Sequence, residues 1–303
     1  MNKQITISLD KVTGKYVGTI GSKSFKTKNP SYICMIYEQM TGQKKTFAEL
    51  FQAPKEVIKE KFGINSRFDF VEKLIKMVGT GVQPSAVITG QGGLGKTYTV
   101  IKTLKNLGLE DSTSLDEYEE GDVIDRSNNY TIVKGYSTPK GLYRTLYENN
   151  DSVIIFDDCD SVLKDPIALN LLKGALDSYD RRYISWNADL RDEDLPRKFE
   201  FTGRVIFISN LDQSKIDQAI RSRSMMIDLS MTDDQKIERM ETIVSSDEFM
   251  PEYETSAKKA AIAFLKKKKN SVKELSLRSL ISVTKIAATN SDWEDLAEYM
   301  MCQ

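Results

Sequence analysis

Histidine is absent from all 303 residues of the chain. That absence removes imidazole proton shuttles, Ser–His–Asp triads and HExxH zinc sites together. Any catalysis must therefore use carboxylates, lysine, arginine or a bound metal. Cysteine is scarce, and Cys34, Cys159 and Cys302 stand far apart with no paired spacing, which argues against a disulfide framework or a zinc site. No run approaches the roughly 20 apolar residues of a membrane span, and the opening MNKQITISLD lacks the apolar centre of a secretory signal. The expectation is a soluble, cytoplasmic protein with no membrane partner.

What is present fits a folded chain: hydrophobic residues make up 40% and charged residues 29%, values of an ordinary globular protein. The length allows two domains, or one core and a lid. Net charge is −1, but the charge is unevenly spread. Lys3, Lys11, Lys15, Lys23, Lys26 and Lys28 face Asp10 alone in the first 30 residues, whereas Glu110, Asp111, Asp116, Glu117, Glu119, Glu120, Asp122 and Asp125 crowd residues 110–125. Such blocks are ordinarily solvated surface; the basic arm is also a candidate nucleic-acid contact.

Along the chain, residues 1–62 read as a small N-terminal α+β module, with two or three short strands in ITISLDKVTGKYVGTIGSKSFKTKN followed by short helices at YICMIYEQM and TFAELF. NSRFDFVEKLIKMVG predicts a helix capped by Ser66, with Asp69 in its first turn, Phe70, Leu74, Met77 and Val78 as its apolar stripe and Gly79 at its end. Apolar strands (SAVIT, YTIVKGY, SVIIF, RVIFIS) then alternate with helical patterns. This predicts an α/β fold with a parallel sheet covered by helices on both faces. Residues 63–230 form this core, and residues 231–303, after MMIDL, read as helices only.

One stretch carries chemistry. Gly90, Gln91, Gly92, Gly93, Leu94, Gly95, Lys96 and Thr97, followed by Tyr98, satisfy G-x-x-x-x-G-K-[ST] directly after a strand and at the opening of a helix. Glycines there turn backbone N–H groups around a phosphate, and the helix start adds its positive dipole end. Lys96 would reach the β- and γ-phosphates, and the Thr97 hydroxyl would coordinate Mg2+. A flexible strand–helix loop would explain the glycines but not the Lys-Thr pair. Downstream, SVIIFDDCD runs an apolar strand into Asp157 and Asp158. This resembles a Walker B motif, with Asp157 at the metal and the next acid polarising the attacking water.

With these two motifs in place, the sequence resembles the AAA+ ATPases over roughly residues 63–290. Asn210, closing RVIFISN, looks like the polar sensor 1 side chain. AIRSRSMMIDL resembles the segment of clamp loaders and initiators whose arginine enters a neighbouring subunit's site, which makes Arg223 the candidate finger and Arg221 the second choice. ELSLRSLISVTKIA resembles the lid helix bearing the sensor 2 arginine, here Arg278. The resemblance implies a P-loop NTPase sheet with an all-α lid, ATP and Mg2+ as ligands, and a ring or spiral of like subunits, most often a hexamer. Where the family has Asp-Glu, this chain has Asp157-Asp158. The shorter acid must approach the water more closely, and Asp160 is an alternative, so slow hydrolysis is expected.

The load is left open. Tyr136 and Lys140 lie where the family grips substrates, although Tyr136 could equally end a core strand. The long segment before sensor 1 mixes Arg181, Arg182, Trp186, Arg197 and Lys198, which suit a single nucleic-acid strand, with Asp189, Asp192, Glu193 and Asp194, which do not. The lysines 266–269 add to the nucleic-acid reading. A DNA- or replication-directed motor, a protein remodeller and a slow nucleotide switch are the three functions in play.

Overall fold

The computed structural model describes residues 5–10, 13–20, 22–50, 61–112, 127–187 and 195–302. Lys3, Lys11 and the acidic positions between 116 and 125 and between 189 and 194 lie outside the described residues. The chain divides into two compact units, residues 1–61 and 62–303.

In the first unit, β1 (Ile5–Asp10), β2 (Lys15–Ile20) and β3 (Lys23–Thr27) form an antiparallel meander. Asp10 makes the first reversal possible by accepting the Thr13 amide at 3.2 Å and its hydroxyl at 2.6 Å, and Gly14 supplies the left-handed φ of 63°. Helix α1 (Pro30–Thr41) starts with Asn29 capping Ser31 and Pro30 in the first turn, and stops at left-handed Gly42. The short α2 (Phe47–Leu50) follows. Ile20, Phe25, Ile33, Ile36 and Tyr37 are the buried core of this unit.

The second unit is built on β4 (Ser85–Thr89), β5 (Glu110–Asp111), β6 (Asn129–Lys134), β7 (Val153–Asp157), β10 (Arg204–Ser209) and β11 (Met225–Asp228). They form one sheet in the order β11-β4-β10-β7-β6-β5, and every described pairing in it is parallel. Alternation within the apolar strands splits their side chains between two cores. Val87, Ile154, Phe156, Val205 and Phe207 pack under α5 (Pro139–Glu148), α6 (Pro166–Ala175) and α7 (Gln218–Arg223). Ala86, Ile88, Val153, Ile155, Ile206 and Ile208 face α3 (Ile64–Gly79) and α4 (Lys96–Asn106). Helices α8 (Asp233–Val244), α9 (Thr255–Lys268), α10 (Leu277–Thr289) and α11 (Trp293–Cys302) bury Leu265, Leu280, Val283 and Ala297 in a third core. Among the described residues no helix is long and apolar enough to cross a membrane.

Two local expectations are corrected. Helix α3 begins at Ile64 with Gly63 at the cap position and no side-chain cap, not at Ser66. Packing wins over capping here: Ile64 is fully buried, and Asn65 is drawn to Thr242 at 3.0 Å and Arg239 at 3.0 Å on α8. The buried stripe is correspondingly Phe68, Val71, Leu74, Ile75 and Val78, so Phe70 and Met77 sit only at its margin. The long segment between α6 and β10 contains an antiparallel pair, β8 (Tyr183–Ser185) with β9 (Lys198–Glu200).

Candidate functional site

The glycine stretch leaves the C-terminal end of β4 and opens α4, and three of its glycines answer different demands. Gly90 has φ 137°, and a Cβ there would lie 2.9 Å from the Leu229 backbone. Gly93, at φ 70°, and Gly95, at φ 88°, leave room for Ser276 and Leu277 at the start of α10. That approach is secured by a hydrogen bond from the Leu277 amide to the Gly93 carbonyl at 2.8 Å. Leu94 is buried and anchors the loop in the core under α3 and α4.

Lys96, only 5% exposed, donates to the carbonyls of Gly90 at 2.7 Å and Gln91 at 2.8 Å and to Asn210 Oδ1 at 2.9 Å. Burial pulls its pKa below the usual lysine value; Asp158, Asp157 and Asp160 oppose that shift, and Arg278 adds to it. Thr97 Oγ1 donates to Asp157 Oδ1 at 2.9 Å, because the strand order sets the end of β7 close to the opening of α4, with only β10 between β4 and β7. That intervening strand delivers Asn210, whose Nδ2 donates to Asp158 Oδ1 at 2.7 Å. Asn210 thus joins Lys96 to Asp158 in one relay. Asp158 holds a left-handed φ of 54°, which aspartate tolerates better than most residues. Asp160 turns the other way and accepts from Ser209 Oγ at 2.6 Å.

Gly92 to Tyr98, Asp157, Asp158, Asn210 and Arg278 line a single cleft. Tyr98 is 60% exposed, and its hydroxyl donates to Glu248 at 3.1 Å, a carboxylate also paired with Lys102. Thr97 and Asp157 offer two hard oxygens side by side. Mg2+ suits that donor set, since it takes one or two protein oxygens and fills its shell from phosphates and water; among the described residues no group of three acid, cysteine or histidine side chains is placed to hold a metal ion.

Other candidate residues fall elsewhere. Arg221 and Arg223 end α7, just before the start of β11, whereas the glycine loop follows the far end of the neighbouring β4. Arg221 is exposed; Arg223 is half-buried, donates to Ala219 O at 3.2 Å and leaves its Nε buried without a partner. Tyr136 is 80% exposed and so does not end a strand in the core, while Lys140 is half-buried in the first turn of α5. Arg182 is turned inward onto the carbonyls of Ala175 and Gly203, both at 2.8 Å. Trp186 packs against the buried Tyr143. Arg181 forks onto Glu200 at 2.6 Å and 3.0 Å, Lys198 lies over the Tyr183 ring, and Arg197 is exposed. In the lysine run, Lys266, Lys268 and Lys269 pair with Glu241, Glu298 and Asp234.

Residues that sequence reasoning missed include Lys134, 3.5 Å from Asp157 Oδ2, and Glu248. Lys134 had a readable signal, since it closes the apolar run YTIVK as Asp157 closes VIIFD. Glu248 had none, because its partners lie some 150 residues away.

The chain is an α/β protein with a parallel six-stranded sheet, a helical C-terminal region and a small N-terminal antiparallel sheet. No protein-family model matches it. It is 29% identical over 253 residues to the "uncharacterized 36.7 kDa protein in nrdC-mobD intergenic region" of Enterobacteria phage T4, a match covering 77% of this chain and 73% of the phage protein. A chain of the E. coli MS115-1 HORMA:CdnC:Trip13 complex resembles it with a TM-score of 0.37 and 13% identity, covering 82% of this chain and 92% of that one.

Proposed function

We propose that this chain is an AAA+-type, Mg2+-dependent ATPase that works as an assembly of like subunits, with residues 63–230 as its nucleotide-binding core, 231–303 as its lid and 1–62 as a separate module. One observation carries the reading: Lys96, Thr97, Asp157, Asp158, Asn210 and Arg278 converge on one cleft around a glycine loop. In this reading Lys96 exchanges its carbonyl partners for β- and γ-phosphate oxygens, and Thr97 with Asp157 would hold Mg2+. The ion supplies charge neutralisation of the phosphates. Asp158 orients the attacking water, helped by Asn210, and Arg278 reaches the γ-phosphoryl group from α10. Arg223 lies at the opposite end of the sheet from Lys96, which supports its serving the site of a neighbouring copy. A planar guanidinium suits that task, since it can bind two phosphoryl oxygens at once. A ring or spiral follows, a hexamer in most of the family.

A slow nucleotide switch is the second reading, favoured by the short acid at 158 and its bond to Asn210. Turnover below the enzyme median of about 10 per second is expected in either case. For the load, the inward Trp186 and Arg182 and the paired lysines of 266–269 weaken the nucleic-acid reading. Tyr136, exposed beyond β6, supports a loop that touches a client.

The test is steady-state ATP hydrolysis across protein concentration, with single-stranded DNA, with an unfolded protein, and with neither. A rate per subunit that climbs with concentration is expected. Arg223→Ala should bind ATP and not hydrolyse it, and mixing it with Asp158→Asn should restore part of the rate. A concentration-independent rate, with no restoration on mixing, would exclude shared sites.

A further inference from the structure

Asp157 divides its two carboxylate oxygens. Oδ1 accepts from Thr97, while Oδ2 faces Lys134 Nζ at 3.5 Å. The two residues are in-register neighbours at the ends of parallel strands β6 and β7, so the pairing follows from the sheet itself. The Asp157 side chain is only 9% exposed, but that of Lys134 is 66% exposed; the lysine can leave without exposing core. Directly after it come Gly135, at φ 85°, and the exposed Tyr136. This loop returns to the acidic segment through the Ser137 amide, which donates to Ser161 Oγ at 3.3 Å. Ser161 Oγ also donates back to the Ser137 carbonyl at 3.5 Å, so the stretch 134–138 is tied to the segment 157–161 by the Lys134 ion pair at one end and by Ser137 at the other.

A fixed ammonium beside a carboxylate that is to hold a divalent cation does two things. It holds the carboxylate in one rotamer, and it repels the incoming ion. We infer that Lys134 is a positioning residue that competes with the divalent cation for Asp157, so that metal occupancy shifts the loop bearing Tyr136. The inference rests on the ATPase reading above.

The experiment follows binding of a fluorescent ATP analogue while Mg2+ is titrated, in the full chain, in Lys134→Met and in Lys134→Arg. Lys134→Met should lower the half-saturating Mg2+ concentration about fivefold, the size of an exposed ion pair, and Lys134→Arg should stay near the parent. In a Tyr136→Trp background, Mg2+ with the analogue should change the added tryptophan signal, and Lys134→Met should erase that change. A Mg2+ requirement that is unchanged or raised in Lys134→Met, or a loop signal that survives it, overturns the inference alone. Failure of the parent chain to bind the analogue at any Mg2+ concentration overturns the ATPase reading, and this one with it.

Discussion

The two ends of the parallel sheet hold their cations in different surroundings. At the end where the strands finish, Lys96 donates to the loop carbonyls of Gly90 and Gln91 and to Asn210, which in turn donates to Asp158, and Thr97 donates to Asp157 beside it. At the end where the strands begin, Arg204 donates to the backbone carbonyls of Gly79, Ser127 and Asp151, and Arg182 to those of Ala175 and Gly203. Side-chain partners can be exchanged for a ligand's oxygens by rotating a few torsions. The carbonyls under Arg204 and Arg182 belong to separate segments of the chain, so these arginines act as struts, whereas the two under Lys96 belong to the glycine loop itself. Residue type does not distinguish the two roles, nor does a carbonyl acceptor alone; the side-chain partners around Lys96 do.

The comparison breaks most readily at Lys96. Lys96→Ala should weaken ATP-analogue binding at least 100-fold, read by fluorescence titration, since charge-assisted bonds to two phosphates are lost. Its urea midpoint should fall as well, because the Gly90 and Gln91 carbonyls lose their donor. Arg204→Ala should act on stability alone, costing about 3 kcal/mol for carbonyls left unpaired, with analogue affinity intact wherever the protein is folded. A smaller effect separates two adjacent arginines. Arg182→Ala should cost about 2 kcal/mol, while Arg181→Ala, which removes an exposed pair with Glu200, should leave the melting temperature nearly unmoved.

The smallest prediction concerns alkaline pH. Burial first, and then the Asp111 charge, pushes the Tyr130 phenol up to about 12. A group whose folded pKa is raised holds its proton longer in the folded state, so its contribution is full below the unfolded value near 10 and is lost as pH rises through about 12. Stability against unfolding should therefore fall across that window more steeply in the parent than in Tyr130→Phe. Equal slopes would mean that Tyr130 does not contribute.

Much of this was legible in the residues. Apolar runs such as VIIF and VIFI announce strands covered on both faces, and the spacing from Gly90 to Thr97 puts lysine and hydroxyl at a helix opening. What stayed hidden was set by distant partners. The lysines of 266–269 look like a basic patch until acids 25 to 35 residues away neutralise three of them. Trp186 and Arg182 look like a stacking platform until Tyr143 and two carbonyls claim them. In α3 the cap signal at Ser66 lost to burial of Ile64, a tertiary effect that no local pattern carries.

The glycines of the loop have a consequence for any survey of substitutions. At Gly90 an added methyl group meets the Leu229 main chain, whereas at Gly92 it meets only the Asn210 side chain at 3.7 Å or more, an ordinary contact. A screen that reads cellular abundance should therefore reject alanine at 90 and accept it at 92. A screen that reads nucleotide turnover should weigh both. Positions that part company between the two screens mark where the loop answers to its ligand rather than to its own neighbours.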